Sequence, residues 1–201
     1  MEEKIFIKND EVTIEALQHK SASERGVIIC HPHPLMGGSM YNNVVEAVVR
    51  AFVANNFTTL RFNFRGVGAS TGNYDEGEGE SRDIIAAYQY LKQGGLPQVY
   101  FAGYSFGAWV GSKVIELSDK IFSYSIFISP PNNYFAFNFK SIEDKLDLII
   151  YGDKDKFSDI GKIKKQIKKI DITIEKINGA DHFYWGKEKE IENILGKNIV
   201  K

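Results

Sequence analysis

Cysteine is nearly absent: Cys30 is the single one in 201 residues. A lone thiol closes no internal disulfide, and no Cys/His cluster has zinc-ligand spacing, so a disulfide scaffold and a zinc module are both excluded. An excess of charge is missing too, since 25 Lys and Arg stand against 26 Asp and Glu, a net charge of −1. A general nucleic-acid binder would carry a basic surplus to displace counterions, and a disordered acidic tail would carry the opposite. No run approaches the roughly 18 apolar residues of a membrane span. The charged start MEEKIFIKND offers no secretory apolar core. The expectation is a soluble, cytoplasmic protein, a monomer or homodimer, with neither nucleic acid nor membrane as partner.

The rest is ordinary globular composition, 43% hydrophobic and 25% charged. The length suits one domain over residues 1–201. Short β-branched runs alternate with longer helical patterns. Strands are expected at Lys4–Ile7, Val12–Gln18, Gly26–His31, Thr58–Asn63, Val99–Tyr104, Ser123–Ser129, Asp147–Tyr151 and Ile172–Ile177. Lys8, Asn9, Asp10 and Glu11 form a polar turn that makes the first two a hairpin. The later runs are almost wholly apolar, as in strands buried on both faces of a parallel sheet. Helices are expected after Asn42 and Asn43, over Ser81–Leu91 and Phe106–Leu117, through Ile160, Ile163, Ile167 and Ile170, and near Lys187–Leu195. Strand–helix–strand alternation implies an α/β fold, mostly parallel, with helices on both faces and an antiparallel start. In such sheets ligands bind beyond the carboxyl ends of the strands.

At one of those ends lies Gly103-Tyr104-Ser105-Phe106-Gly107, a G-x-S-x-G sequence between an apolar strand and a helix. A sharp strand-to-helix turn strains the serine backbone and lifts its hydroxyl above the sheet. A serine at its ordinary pKa needs a base. Of the four histidines, His19, His31, His33 and His182, only His182 follows Ser105, in an exposed loop after the last strand. The base needs an orienting acid, and Gly152-Asp153-Lys154-Asp155 ends the strand before. Asp155 is favoured, with Asp153 shaping the turn through its own backbone. Ser105, Asp155, His182 is the nucleophile–acid–histidine chain order of this kind of sheet. The oxyanion needs preorganised N–H donors. Phe106 supplies one. The loop His31-Pro32-His33-Pro34-Leu35-Met36 supplies another, from His33 or next Leu35, since Pro32 and Pro34 have none.

The stretches HPHPLMGGSMYNN, RFNFRGVGASTGNYDEGEGE, GYSFGA, GDKD and GADHF together resemble the small, capless bacterial and archaeal α/β-hydrolases, a group of serine hydrolases or esterases related to dienelactone hydrolases. The resemblance spans the chain from about Lys4 to the final helix. It implies an eight-stranded, mostly parallel sheet and a Ser–Asp–His triad, whose positions fall on Ser105, Asp155 and His182. It implies the reaction class more firmly than the substrate. A dienelactone hydrolase proper has a cysteine nucleophile, where this chain has Ser105.

The reaction expected is cleavage of small to medium carboxylic esters or thioesters through an acyl-enzyme, with no cofactor and no metal. A small peptidase or amidase and a non-catalytic binding subunit are the rivals. The segment 130–145, with Tyr134, Phe135, Phe137 and Phe139 behind Pro130 and Pro131, is too short for a cap and is expected to wall the cleft. Phe183, Tyr184 and Trp185 form another wall or fill core gaps. Tyr134, Phe135 and Phe183 are the substrate-contact candidates. Arg65 is read as a structural partner of an acid such as Asp83, and His31 as bonding loop backbone. Cys30 is read as a buried, inert thiol, Asn73–Glu80 as a solvated acidic loop, and Lys154–Lys169 as the wet face of a helix.

Overall fold

The computed structural model of the protein describes residues 1–10, 12–118, 121–168 and 171–199. Among the described residues, eight strands form one sheet: β1 (Glu3–Asn9), β2 (Val12–His19), β3 (Arg25–Cys30), β4 (Thr58–Phe62), β5 (Gln98–Tyr104), β6 (Tyr124–Ile128), β7 (Leu148–Gly152) and β8 (Thr173–Ile177). Their spatial order is β1-β2-β4-β3-β5-β6-β7-β8. β1–β2 and β2–β4 pair antiparallel, and every other pairing is parallel. The hairpin is tighter than predicted. Lys8 and Asn9 continue β1 and face Thr13 and Val12. Asp10 takes φ 52°, a left-handed conformation that Asp tolerates and that reverses the chain in less length. Glu11 of the predicted turn lies outside the described residues.

The helices are α1 (Asn43–Ala54), α2 (Glu78–Gln93), α3 (Phe106–Leu117), α4 (Phe139–Ile142), α5 (Ile160–Gln166) and α6 (Glu188–Asn198). The alternation of side chains along each central strand explains why they cover both faces. Ile28, Cys30, Phe101 and Phe127 point into one core, with Ile84, Val110, Val114, Phe139 and Ile163 from α2, α3, α4 and α5. Val27, Ile29, Ala102, Ile126 and Ile128 point into the other, with Val44, Val48, Phe52, Ile191 and Leu195 from α1 and α6. Each central strand therefore has to be apolar at successive positions. None of the described helices is long and apolar enough to cross a membrane.

Local chemistry sets the helix starts. Asn42 Oδ1 accepts the N–H of Val44 at 2.9 Å and caps α1. α2 begins three residues before the predicted Ser81, because Glu80 folds back to accept the N–H groups of Gly77 (2.8 Å) and Asp75 (3.0 Å). Glu80 is thus fully buried, which corrects the reading of 73–80 as a wholly solvated loop. α5 stops at Gln166, and Lys169 and Ile170 lie outside the described residues. The Pro34–Met36 3₁₀ turn and the short α4 were not anticipated.

Segment 130–138 is fastened rather than free. Asn132 accepts the Asp159 N–H at 2.7 Å and donates its own amide to the Asp159 carbonyl at 3.1 Å. Asn133 N–H bonds the Phe157 carbonyl at 3.1 Å, and the Trp109 indole bonds Ala136 O at 3.0 Å. This wall is tied to the loop that carries Asp155.

Candidate active site

The strand ends bring Ser105, Asp155 and His182 together. Ser105 stands between β5 and α3 at φ 53°, ψ −117°, a strained conformation for a residue with a Cβ. Its neighbours must be glycine. A Cβ on Gly103 would sit 2.7 Å from Ala108 Cα, and one on Gly107 2.6 Å from the Cys30 carbonyl oxygen. The helix can start this close to the strand only without those side chains. Ser105 Oγ lies 2.8 Å from His182 Nε2, and His182 Nδ1 lies 2.9 Å from Asp155 Oδ2.

The carboxylate that meets His182 is that of Asp155 and not that of Asp153. The Asp155 side chain is fully buried. Its other oxygen accepts the N–H groups of Phe157 (2.8 Å) and Ser158 (3.2 Å). Burial alone would raise its pKa, but the bond to His182, the His182 charge, and bonds from Ser129 and Phe157 outweigh it and hold the group below the usual carboxylate range. Asp153 bonds across to the Gly179 N–H at 2.6 Å, so it shapes the neighbouring loop rather than its own turn.

His182 is buried at 6% exposure, which corrects the expectation of an exposed loop residue. Its ring stacks on Phe157, centroids 4.4 Å apart and planes at 24°. Its backbone carbonyl accepts the Tyr104 hydroxyl at 2.6 Å. Neither contact was read from the sequence, because Tyr104 and Phe157 carry no local motif for them.

Donors for an oxyanion are fewer than expected. Phe106 N–H opens α3 and has no intrahelical partner. Leu35 N–H does not qualify: it is spent on His33 Nδ1 at 3.2 Å, within the cap of the 3₁₀ turn. Met36 N–H is likewise spent, on the His33 carbonyl at 3.0 Å. Among the described residues, the His33 N–H has no protein partner. The His33 ring packs on Phe106 at 4.8 Å, and burial lowers its pKa despite the Glu80 charge.

The residues around Ser105 and His182 enclose a cleft of about 460 Å³, walled by His33, Met36, Tyr134, Phe135, Phe157 and Phe183. Three of these, Tyr134, Phe135 and Phe183, are the predicted contact residues. Tyr184 instead fills the core, fully buried, and Trp185 is 75% exposed and belongs to neither wall nor core. Arg65 bonds Asp83 through Nε and a terminal nitrogen, the latter at 2.7 Å, and so serves the structure. Cys30 is buried, and burial raises its thiol pKa, as an inert group requires.

Known proteins share this architecture. The chain is 33% identical over 210 residues to an uncharacterized protein of Rickettsia prowazekii, covering 98% of this chain and 88% of the relative. It superposes on an α/β serine hydrolase homologue from Coxiella burnetii with a TM-score of 0.84 and 30% identity, over 98% of this chain and 97% of that one. The chain belongs to the α/β-hydrolase family. Within that family it also matches an α/β serine hydrolase without a lid from Xanthomonas campestris, with a TM-score of 0.85 and 25% identity over 98% and 93% of the two chains. The α/β-hydrolase assignment rests on these relatives, since no family model matches the chain.

Proposed function

We propose that this α/β-hydrolase is a serine esterase cleaving small to medium carboxylic esters or thioesters. The 2.8 Å approach of Ser105 Oγ to His182 Nε2, with Asp155 on the far nitrogen, carries the reading. His182 Nδ1 keeps its proton toward Asp155, which leaves the Nε2 lone pair facing the serine hydroxyl. Ser105 Oγ attacks the carbonyl carbon while its proton passes to Nε2. The tetrahedral oxyanion is held by the N–H groups of Phe106 and His33. Collapse expels the alcohol or thiol, which takes the proton from His182. Water then repeats the sequence on the acyl-enzyme, losing its proton to His182, and frees the acid and Ser105. Every step is proton and acyl transfer, so the reaction needs no cofactor.

Tyr134, Phe135 and Phe183 are the proposed contacts for the acyl or alcohol group. The uncapped mouth and the cleft of about 460 Å³ suit groups of modest size. A fluorophosphonate probe tests the reading. Labelling of Ser105, lost in Ser105→Ala, together with cleavage of short p-nitrophenyl esters is expected. Folded protein that takes no label and cleaves no ester is the outcome that would return the chain to a binding role, and faster cleavage of matched amides would make it an amidase.

A further inference from the structure

Two separate sets of rings flank Ser105. One surrounds the imidazole that its hydroxyl meets. Phe157 stacks on His182 at 4.4 Å, Phe183 meets the His182 ring edge-on at 5.8 Å, and Tyr134 lies 5.0 Å from Phe157. The other surrounds Phe106, the next residue along the chain. His33 lies 4.8 Å and Phe135 6.0 Å from the Phe106 ring, and His33 and Phe135 are 6.0 Å apart. Tyr134 and Phe135 are neighbours in sequence and belong to different sets. Among the described residues, no ring contact joins the two.

Charge is missing from the cleft between them. Among the described residues, none that lines it is Lys, Arg, Asp or Glu. The His33 ring is neutral, because its Nδ1 accepts the Leu35 N–H at 3.2 Å and its one proton must sit on Nε2. Arg65 is buried and spent on Asp83. Asp155 lies directly behind His182, 2.9 Å from Nδ1, and puts a negative charge there. A carboxylate on a substrate would give up water in this cleft and meet no cation.

We propose that the cleft takes esters with apolar groups on both sides of the scissile bond and turns away a carboxylate on either side. The alcohol or thiol group lies on Tyr134, Phe157 and Phe183, and the acyl group on His33, Met36 and Phe135. The inference rests on the proposed serine-esterase reading. His182 returns its proton to the leaving atom, so that atom comes to Nε2 and its substituent runs over the rings around His182. The carbonyl oxygen turns to the Phe106 and His33 N–H groups. The acyl group is left the remaining wall.

The kcat/KM of two matched pairs tests this. p-Nitrophenyl hexanoate against mono-p-nitrophenyl adipate places the charge on the acyl side, and phenyl acetate against para-acetoxybenzoate places it on the alcohol side. At pH 8 each anionic ester is expected to be about thirtyfold the poorer substrate. Met36 and Phe183 are 75% and 50% exposed, so a lysine at either costs the fold little. Met36→Lys is expected to narrow the first gap, and Phe183→Lys the second, by about three- to fivefold, the weight of an ion pair open to water. Thermal midpoints of both variants are recorded. Anionic esters cleaved as fast as their neutral partners overturn the exclusion, and these wild-type pairs decide it even if a variant does not fold. Narrowing of the wrong gap, or of neither, by folded variants overturns the assignment of the two walls. A wild-type protein that takes no fluorophosphonate and cleaves none of the four esters sinks the esterase reading and this inference together. Labelled wild type that is indifferent to the carboxylates sinks this inference alone.

Discussion

His31 and His182 are both buried imidazoles in loops that leave the carboxyl edge of the same sheet, and each has both ring nitrogens engaged. His31 Nδ1 meets the Pro32 carbonyl at 2.6 Å, and its Nε2 accepts the Phe64 N–H at 3.0 Å. Those partners are backbone groups that neither gain nor lose a proton. With no acid beside it, burial drives the His31 pKa down to about 4, and the ring stays neutral. His182 has instead a carboxylate on one side and a hydroxyl on the other. Its acceptor nitrogen faces a proton that can move, and its donor nitrogen faces a charge that steadies the imidazolium. The two rings share burial and saturation and differ in the chemistry of their partners, and the proposed base role of His182 rests on that difference.

The sharpest way to break this contrast is His182→Ala. Ester cleavage is expected to fall by about 10⁴-fold or more in kcat/KM, as loss of a proton-relay base does. Because His182 is buried, some stability goes with it, about 1–3 kcal/mol in a denaturant melt, since the Asp155 carboxylate keeps its burial and loses a partner. Full activity in this variant would refute the base assignment. Next is the acid: Asp155→Asn is expected to cost roughly 10⁴-fold in kcat, and Asp153→Asn less than about tenfold. A larger loss at Asp153 would reverse their roles.

His31 should respond in the opposite sense. His31→Leu leaves the Phe64 N–H without a partner, so it should lower stability by about 3 kcal/mol at pH 8 while Ser105 still takes the fluorophosphonate. The pH dependence follows from the same group. The unfolded imidazole titrates near 6.5 and the folded one near 4, so within that window the unfolded chain binds a proton that the folded one refuses. Stability is therefore intact above pH 6.5 and falls as pH drops toward 4, by about 3 kcal/mol from this residue. Denaturant melts across that range should show a shallower fall in His31→Leu than in wild type. The smallest effect is expected at Trp185, which is 75% exposed and lines neither wall nor core. Trp185→Ala should shift stability by less than about 0.5 kcal/mol and leave kcat unchanged.

The sheet was legible because its central strands are apolar at successive positions, and both flanking cores require that. The meeting of Ser105, Asp155 and His182 was legible because each follows a separate strand, so chain order alone brings them to one edge. The hidden parts depend on contacts between distant segments or on which bonds a turn consumes. Leu35 looked like a free donor until the 3₁₀ turn placed its N–H on His33 Nδ1. Tyr104 touches the His182 carbonyl across 78 residues, and no local pattern announces it. Glu80 could have been read: it stands three residues after Gly77, the spacing of a side chain that returns to cap a helix. Its acidic neighbours made the stretch look wet instead.

The bond from the Gly179 N–H to Asp153, with that from the Lys154 N–H to the Ala180 carbonyl at 2.9 Å, laces the acid loop to the histidine loop. The spacing of Asp155 and His182 is therefore fixed by bonds between their loops as well as by their own contact. Tyr104, one residue before Ser105, adds a third tie by donating to the His182 carbonyl at 2.6 Å, so the strand that carries the hydroxyl is stitched to the same loop pair. The three loops thus form one laced rim, in which no strand end carries its side chain alone.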